Sequence, residues 1–359
     1  MHNAKRILTL ALAALLVLGL AACGGQTAPA ATTAPETTAP ETTAAPETTA
    51  ETTVETTVET TEGSYYPVTV TTYDYEGNEI TTTYEKAPER VICVYQGCIE
   101  TMIALGLEDH VIASYGLDNP VKEEWEEGLS KMNYNADVFA PDKETVTMLE
   151  PDLIFSWGSL FSDKNLGDQK GWIAEGTNTY ISSNTRRNGG NRTLENEYTD
   201  LLNIGKIFNC EDKAQAIVDE MKNEIADVLA KTAGQESPRV SVIEFLGDDI
   251  SNYGSKQLGG DMIRALGATL AEPEASKIGK EDLVALDPDV IFVVYMAHTE
   301  NVEAEMVAKV TEDPAFADLS AVKNGRVYSI MLGDMYASSV RSIDGIRTFA
   351  AGLYPELGK

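Results

Sequence analysis

The sequence predicts an α/β protein of two similar lobes joined by one long helix, and three observations carry that reading. Short apolar runs alternate with helical stretches, RVICVY then ETMIALGL, HVIASY, ETVTMLE then DLIFSW, and NTYIS. This is the pattern of a parallel sheet with helical crossovers. Lys143 to Phe155 (KETVTMLEPDLIF) aligns without gaps to Lys280 to Phe292 (KEDLVALDPDVIF) at an offset of 137. In each copy a helix ends at an acid-Pro-Asp turn that feeds a buried strand. Earlier in each half a second piece recurs, Met102-Ile103-Ala104-Leu105-Gly106 against Ile263-Arg264-Ala265-Leu266-Gly267. Between the halves, Ala214, Ile217, Met221, Ile225, Val228 and Leu229 keep helical spacing on one apolar face, with Glu, Asp and Lys on the others.

The chain opens with Lys5 and Arg6, an apolar run from Ile7 to Leu20, and Leu20-Ala21-Ala22-Cys23. A basic flank, a short apolar core and small residues before a cut site mark residues 1–22 as a secretory signal. Its 16 apolar or small residues fall short of the roughly 20 that cross a bilayer. Residues 24–63 repeat Ala-Pro-Glu-Thr-Thr and Glu-Thr-Thr-Val without Lys, Arg or aromatics, a composition that cannot offset chain entropy by burial. With Cys23 they are expected to form a disordered, charge-extended spacer, residues 23–63.

The folded part then divides into a first lobe at 64–194, a connecting helical segment at 195–233 and a second lobe at 234–359. The first lobe begins with Val68-Thr69-Val70-Thr71 and Ile80-Thr81-Thr82-Thr83-Tyr84 around Glu76-Gly77-Asn78, a β-hairpin pattern. Ser237-Pro238 ends the helical segment, and the alternation resumes with RVSVIEF, GGDMIRALGA, KEDLVALD, DVIFVVY and RVYSIML before a last helix from about Ser339 to Leu353.

Charge narrows the function. The folded part holds 25 basic and 50 acidic residues, a net −25 once Lys5, Arg6 and the seven glutamates of the spacer are removed. Such a surface repels phosphate backbones, so nucleic acid is not the expected partner. Only His110 and His298 remain beyond His2, which excludes a multi-histidine metal cage. Cys93, Cys98 and Cys210 are odd in number, so at least one thiol stays free or pairs between molecules. Cys93 and Cys98 sit in apolar runs, where burial is the expected role. No Gly-x-Ser-x-Gly elbow, His-Glu-x-x-His, phosphate loop or Gly-x-Gly-x-x-Gly is present, so no enzyme is expected.

In open parallel sheets, ligands bind beyond the carboxyl ends of the strands. An aromatic stands at nearly every such end: Tyr95, Tyr115, Trp157, Phe245 and Tyr295. Five strand ends from two lobes would face one cleft, although aromatics favour strands in any case. Residues 176–194 carry Arg186, Arg187 and Arg192 with no acid until Glu195, so the segment is either an anion-binding loop or a solvated basic one. Arg341, near Tyr336, is the matching candidate in the second lobe, and His298 follows the strand that ends at Tyr295. His110 precedes a strand and is expected to be structural.

These pieces resemble a family, the solute-binding lipoproteins of ABC importers for iron-siderophores, haem and vitamin B12. The matching segments are the hairpin with KAPERVICVY, IETMIALGLEDHVIASYG and LEPDLIFSW, then GGDMIRALGA, EDLVALDPDVIFVVY and NGRVYSI, together spanning about residues 66–357. The resemblance implies the class III (TroA-like) periplasmic-binding-protein fold: two Rossmann-like lobes, a single bridging helix, a hinge that bends little and a ligand held between the lobes. It implies lipid on Cys23, so that the protein hangs from the outer face of the membrane, by analogy with the long tethers of Gram-positive surface lipoproteins. It carries the family's permease-docking acids onto Glu144 and Glu281, which are equally ordinary first-turn helix acids.

A ferric siderophore-type chelate ranks first as the ligand, with aromatic walls and arginines for its anionic shell. Haem, with Tyr95 or His298 as axial ligand, and a corrinoid follow. The expected partners are an ABC permease, its ATPase, the iron chelate and the membrane through the lipid anchor, with the chain acting as a monomer. A wall-associated adhesion protein with the Thr-rich tract as stalk, or a lipid-anchored hydrolase, are the rivals from other classes.

Overall fold

A computed structural model of the protein describes residues 64–188, 190–247, 249–297 and 301–358. The expected signal, Cys23, the expected spacer and His298 lie outside the described residues. The structure begins with the expected hairpin. Strands β1 (Val68–Tyr73) and β2 (Glu79–Tyr84) pair antiparallel with Val68 opposite Tyr84 and Tyr73 opposite Glu79. Asp74 closes the turn by accepting the Asn78 amide at 2.9 Å.

The first sheet comprises β3 (Val91–Val94), β4 (Val111–Tyr115), β5 (Tyr134–Asn135), β6 (Leu153–Ser156) and β7 (Asn178–Ile181). Between these strands run α1 (Gln96–Leu105), α2 (Glu126–Lys131), α3 (Lys143–Leu149) and α4 (Gln169–Ala174). All strand pairs are parallel and the order is β5-β4-β3-β6-β7, so the connection reverses direction between β3 and β6. Every residue of β3 is buried, and period-2 alternation explains why both faces are apolar. Val91 and Cys93 pack on one face with Leu153, Phe155 and Tyr180; Ile92 and Val94 pack on the other with Ile154, Ile181 and Trp172.

The expected single connecting helix is two helices, α5 (Leu194–Ile207) and α6 (Glu211–Lys231). The run breaks at Asn209, whose φ of 52° is left-handed, and the Cys210 amide turns back onto the Gly205 carbonyl at 2.8 Å. A Cβ on Gly205 would lie 2.5 Å from that of Ala214, so glycine is what lets the two helices approach here. Leu194, Tyr198 and Leu201 of α5 belong to the second lobe's core, whereas Ile204 and Ile207 belong to the first. Helix α6 returns, with Ala214 in the first core and Val218, Met221 and Val228 in the second. Both helices therefore cross between the lobes, in opposite directions.

The second lobe contains β8 (Arg239–Leu246), β9 (Asp249–Asn252), α7 (Leu258–Ala265), β10 (Thr269–Leu270), β11 (Lys277–Ile278), α8 (Lys280–Leu286) and β12 (Val290–Tyr295). It continues through α9 (Val302–Thr311), α10 (Ser320–Lys323), β13 (Val327–Met331) and α11 (Ser342–Leu353). The sheet order is β11-β9-β8-β12-β13, with β10 pairing the start of β8. Strand β9 runs antiparallel to β8, so this sheet is mixed. The short segment DISN of β9 gave no strand signal in the sequence.

The internal repeat has one physical basis in both lobes. Glu150 and Asp287 end α3 and α8 in the left-handed region, at φ 46° and 39°. The aspartate that follows each proline then holds the entry of the lobe's first sheet strand. Asp152 accepts from the Glu89 and Arg90 amides at 2.8 and 2.9 Å, and Asp289 accepts from the Arg239 amide at 2.8 Å. The side chains of Arg90 and Arg239 reach back to the last carbonyls of α3 and α8, at Leu149 and Leu286. Asp152→Ala and Asp289→Ala should each lower unfolding stability by about 1.5 to 3 kcal/mol, the range for hydrogen bonds to a charged group. Urea denaturation checks this, and a loss in one lobe only would break the proposed equivalence.

Candidate functional site

Beyond the carboxyl ends of the central strands, the two lobes meet at a cleft. Tyr95, Gln96, Gly97, Asp118, Asn119 and Trp157 line it from the first lobe; Met296, Leu332, Gly333, Tyr336, Ala337 and Ser338 line it from the second. The free space between these walls is about 20 Å³, room for a single water. Its walls touch because of the rings. Tyr95 lies edge-on to Trp157 with centroids 4.2 Å apart, and Trp157 stacks on Tyr336 across the lobes at 5.8 Å and 17°. Tyr253 meets Tyr336 edge-on at 6.3 Å.

Strand geometry decides which predicted aromatics reach the cleft. Tyr95 and Trp157 stand one residue past β3 and β6, at the point where the sheet's connection reverses, and their side chains are freed from the sheet faces. Tyr95 adopts φ 94° as the N-cap of α1, a left-handed turn that ends the strand's alternation. Tyr115, Phe245 and Tyr295 are still inside β4, β8 and β12, and their expected place in the cleft is corrected. Tyr115 is 5% exposed in the core with Ile92, Val94 and Ile154. Phe245 follows the alternation of Ser241 and Ile243 onto the far sheet face, beside Lys309. Tyr295 follows Ile291 and Val293 toward α9 and donates its hydroxyl to Glu303 at 2.8 Å.

The arginines are redistributed too. Arg186 lies over the Tyr73 ring at 3.7 Å, and Arg187 is exposed, with its amide on the Tyr75 carbonyl and its guanidinium 3.6 Å from Glu76. Both follow the hairpin, because backbone pairing at Arg187 ties the segment there, and neither lines the cleft. Arg341 is buried and makes a two-point pair with Glu100 of α1, both bonds 2.7 Å, and donates to the Pro120 carbonyl. It joins the lobes and does not face the cavity. The cleft arginine is Arg192, whose guanidinium covers the Tyr336 ring at 3.8 Å, lies 5.7 Å from Trp157 and donates to the Tyr336 carbonyl at 3.2 Å.

Sequence reasoning missed Asp118, Gln96 and Asn119, which carry no motif. Tyr95 donates its hydroxyl to Asp118, and Tyr253 donates to Glu244 at 2.7 Å, so each lobe holds one tyrosine against one acid. Burial, and then the neighbouring carboxylate, push both phenols well above their ordinary pKa. Gln96 accepts from the Asp118 and Asn119 amides at 3.0 and 2.9 Å and donates to Glu100 at 2.7 Å. Asn119 in turn accepts the Ala297 amide of the second lobe at 3.1 Å. Close approach of α1 to this lobe needs Gly97, whose absent Cβ would lie 3.2 Å from the Ala337 carbonyl.

Beneath the cleft, Glu197 of α5 accepts from Asn184 at 2.6 Å and from the Ser339 amide at 2.7 Å. Asp200 accepts from Tyr180 and Ser183. Burial raises Glu197 to about 7, Asp200 to about 6 and Asp334 to about 7. Glu144 and Glu281 are both exposed in the first turns of α3 and α8. Cys93 and Cys98 are buried free thiols, and Cys210 is half-buried. His110 bonds the Pro88 carbonyl at 2.6 Å and packs on Phe208, a structural place.

Two α/β lobes, crossed by a helix pair and meeting at an aromatic cleft beyond their strand ends, are the architecture of a two-lobed substrate-binding protein. The chain belongs to the periplasmic binding protein family, whose profile matches residues 91–331, and it shares the class III architecture. It is 32% identical to a periplasmic binding protein from Veillonella parvula DSM 2008, with a TM-score of 0.76 over 81% of this chain and 93% of that one. It is 27% identical over 301 residues to the ABC transporter substrate-binding lipoprotein YvrC of Bacillus subtilis, covering 82% of this chain and 88% of that protein. The petrobactin-binding protein YclQ of Bacillus subtilis is 29% identical over 266 residues, 72% of this chain and 79% of YclQ.

The raised Glu197 fixes a pH dependence. Folded, the carboxyl holds its proton to about 7; unfolded, it loses it near 4.5. Its contribution to stability is full below the unfolded value and is lost as pH rises through the folded one. Glu197→Gln should therefore gain stability relative to the wild type between about pH 5 and about pH 8. Urea midpoints of both proteins at the two pH values test this; a constant gap would contradict it.

Proposed function

We propose that the protein is an extracytoplasmic solute-binding lipoprotein that captures a ferric siderophore-type chelate between its lobes and delivers it to an ABC permease powered by its ATPase. The observation that carries this reading is the cross-lobe aromatic wall, Tyr95 and Trp157 on one side and Tyr336 on the other. Rings from two lobes grip a bulky ligand on opposite faces and let lobe position report occupancy. The petrobactin-binding protein YclQ supports an iron chelate as the ligand class. Haem is less well supported, since the Tyr95 hydroxyl donates a hydrogen bond to Asp118, and a carboxylate there opposes the phenolate that would coordinate iron. Lipid on Cys23 would hold the protein at the membrane's outer face, in keeping with the lipoprotein YvrC. Among the described residues, no helix is long and apolar enough to cross a membrane.

A cavity of about 20 Å³ is far below the several hundred Å³ of ligand pockets, so binding must part Trp157 from Tyr336. Ferric chelates should raise the melting temperature of the wild type by mass action. Trp157→Ala should weaken binding about tenfold, equivalent to about 1.4 kcal/mol, through loss of one stacking face. Calorimetric titration checks this, and a panel of ferric siderophores, haemin and cobalamin in which no ferric chelate shifts the melting curve would remove the reading.

Glu144 and Glu281 occupy equivalent exposed positions of the internal repeat, one per lobe. Two acids so placed match basic residues on a two-fold permease. Replacing both by Ala should leave chelate affinity unchanged and reduce iron uptake by cells several-fold. Unchanged uptake would take docking away from these acids.

A further inference from the structure

The redistribution of arginines changes what the cleft selects. Among the described residues, Arg192 is the one cation on the aromatic wall, and it already covers the Tyr336 ring and bonds that residue's carbonyl. Arg341, next nearest, is matched by Glu100 and flanked by Asp334 at 3.8 Å. Against them stand Asp118 in the cleft wall and Glu244 behind Tyr253. The amino end of α1 adds a partial positive charge at Gln96 and Gly97, but Asp118 sits beside it. The wall is thus acidic on balance, and it belongs to a body that is itself strongly acidic. The remaining lining is uncharged: Gln96, Asn119, Ser338, the ring faces and Met296.

Ferric chelates differ in net charge by their donor chemistry. Each hydroxamate gives up one proton, so three of them neutralise ferric iron. Each catecholate gives up two, so three leave a surplus of three negative charges on the complex. We propose that this cleft takes a ferric chelate without net negative charge, of the trihydroxamate class, and discriminates against the tris-catecholate class. The inference rests on the iron-chelate reading above and sharpens it. Like charges brought together in a desolvated site are strongly disfavoured, whereas the neutral complex offers apolar faces to Trp157 and Tyr336 and amide oxygens to the uncharged polar lining.

The test is a calorimetric titration of the full-length protein with ferrichrome, ferrioxamine B and ferric enterobactin, at low and high salt. The two trihydroxamates should bind at least about a hundredfold more tightly than the tris-catecholate, with the gap narrowing at high salt as charges are screened. Asp118→Asn with Glu244→Gln keeps an acceptor for each tyrosine. It should shrink the gap at least about tenfold. Equal or tighter catecholate binding overturns the charge assignment while leaving an iron-chelate carrier standing, and so does a gap that neither salt nor the double variant moves. The salt series on the wild type decides the matter even if the double variant does not fold. Failure of all three complexes to bind overturns the carrier reading itself, and this inference with it.

Discussion

The buried pair between Glu100 and Arg341 is the constraint on which the arrangement of the lobes depends. Both charges are almost wholly out of water, at 0% and 5% side-chain exposure. Burial pushes the Glu100 carboxyl up even against the pull of Arg341. A pair in this position contributes little as net stability, yet removing one partner strands a charge at a cost of about 3 to 5 kcal/mol. It therefore works as a specificity device. It fixes α1 against the turn before α11 in one register, and Thr101 to Ser339 at 2.5 Å repeats the junction one helical step away. From Glu100 the order passes to Gln96, then to the Asp118 and Asn119 amides, and so to the cleft wall. The position of Asp118 beside Tyr95 is a consequence of a salt bridge several residues away.

The cleft inherits its chemistry from this scaffold. Central strands bring the first lobe's Tyr95 and Trp157 to adjacent positions at the reversal of the sheet. The segment after β13 brings Tyr336 opposite them, and Arg192, just before the N-cap of α5, reaches over from the start of the crossing helices. Aromatic faces supply contact that is insensitive to the guest's details, and the paired tyrosine-acid contacts supply charge. Both guanidinium groups near it already have partners within the protein, Arg341 in Glu100 and Arg192 in the ring and carbonyl of Tyr336.

Much of this was legible before any coordinates. The hairpin, both sheets, the repeated acid-Pro-Asp turn and the aromatic character of the strand ends follow from local periodicity and turn chemistry, which the fold preserved. Tyr115, Phe245 and Tyr295 were misplaced because one residue of strand length flips a side chain to the opposite face, and strand ends are where sequence patterns are least sharp. Arg341 and Arg192 exchanged roles for a different reason. A guanidinium's partner is set by tertiary contact, and nothing near Glu100 in sequence announces that it is buried opposite a residue 241 positions away. The break at Asn209 was hidden because the apolar spacing of α6 continues a helical pattern begun in α5. Strand β9 escaped because DISN is short, with a single apolar residue, and owes its extended form to pairing with β8.

The helix pair sets what the lobes are able to do mechanically. With α5 and α6 spanning the same interval in opposite senses, any rotation of one lobe on the other must slide the two rods past each other. Gly205 and Ala214 interlock at the point where that sliding would begin. A single rod would act as a swivel, whereas two rods pinned near one end act as a leaf spring, resisting twist and yielding only to a shallow flex. Parting the two rings is then a shallow elastic excursion that the pinned rods oppose.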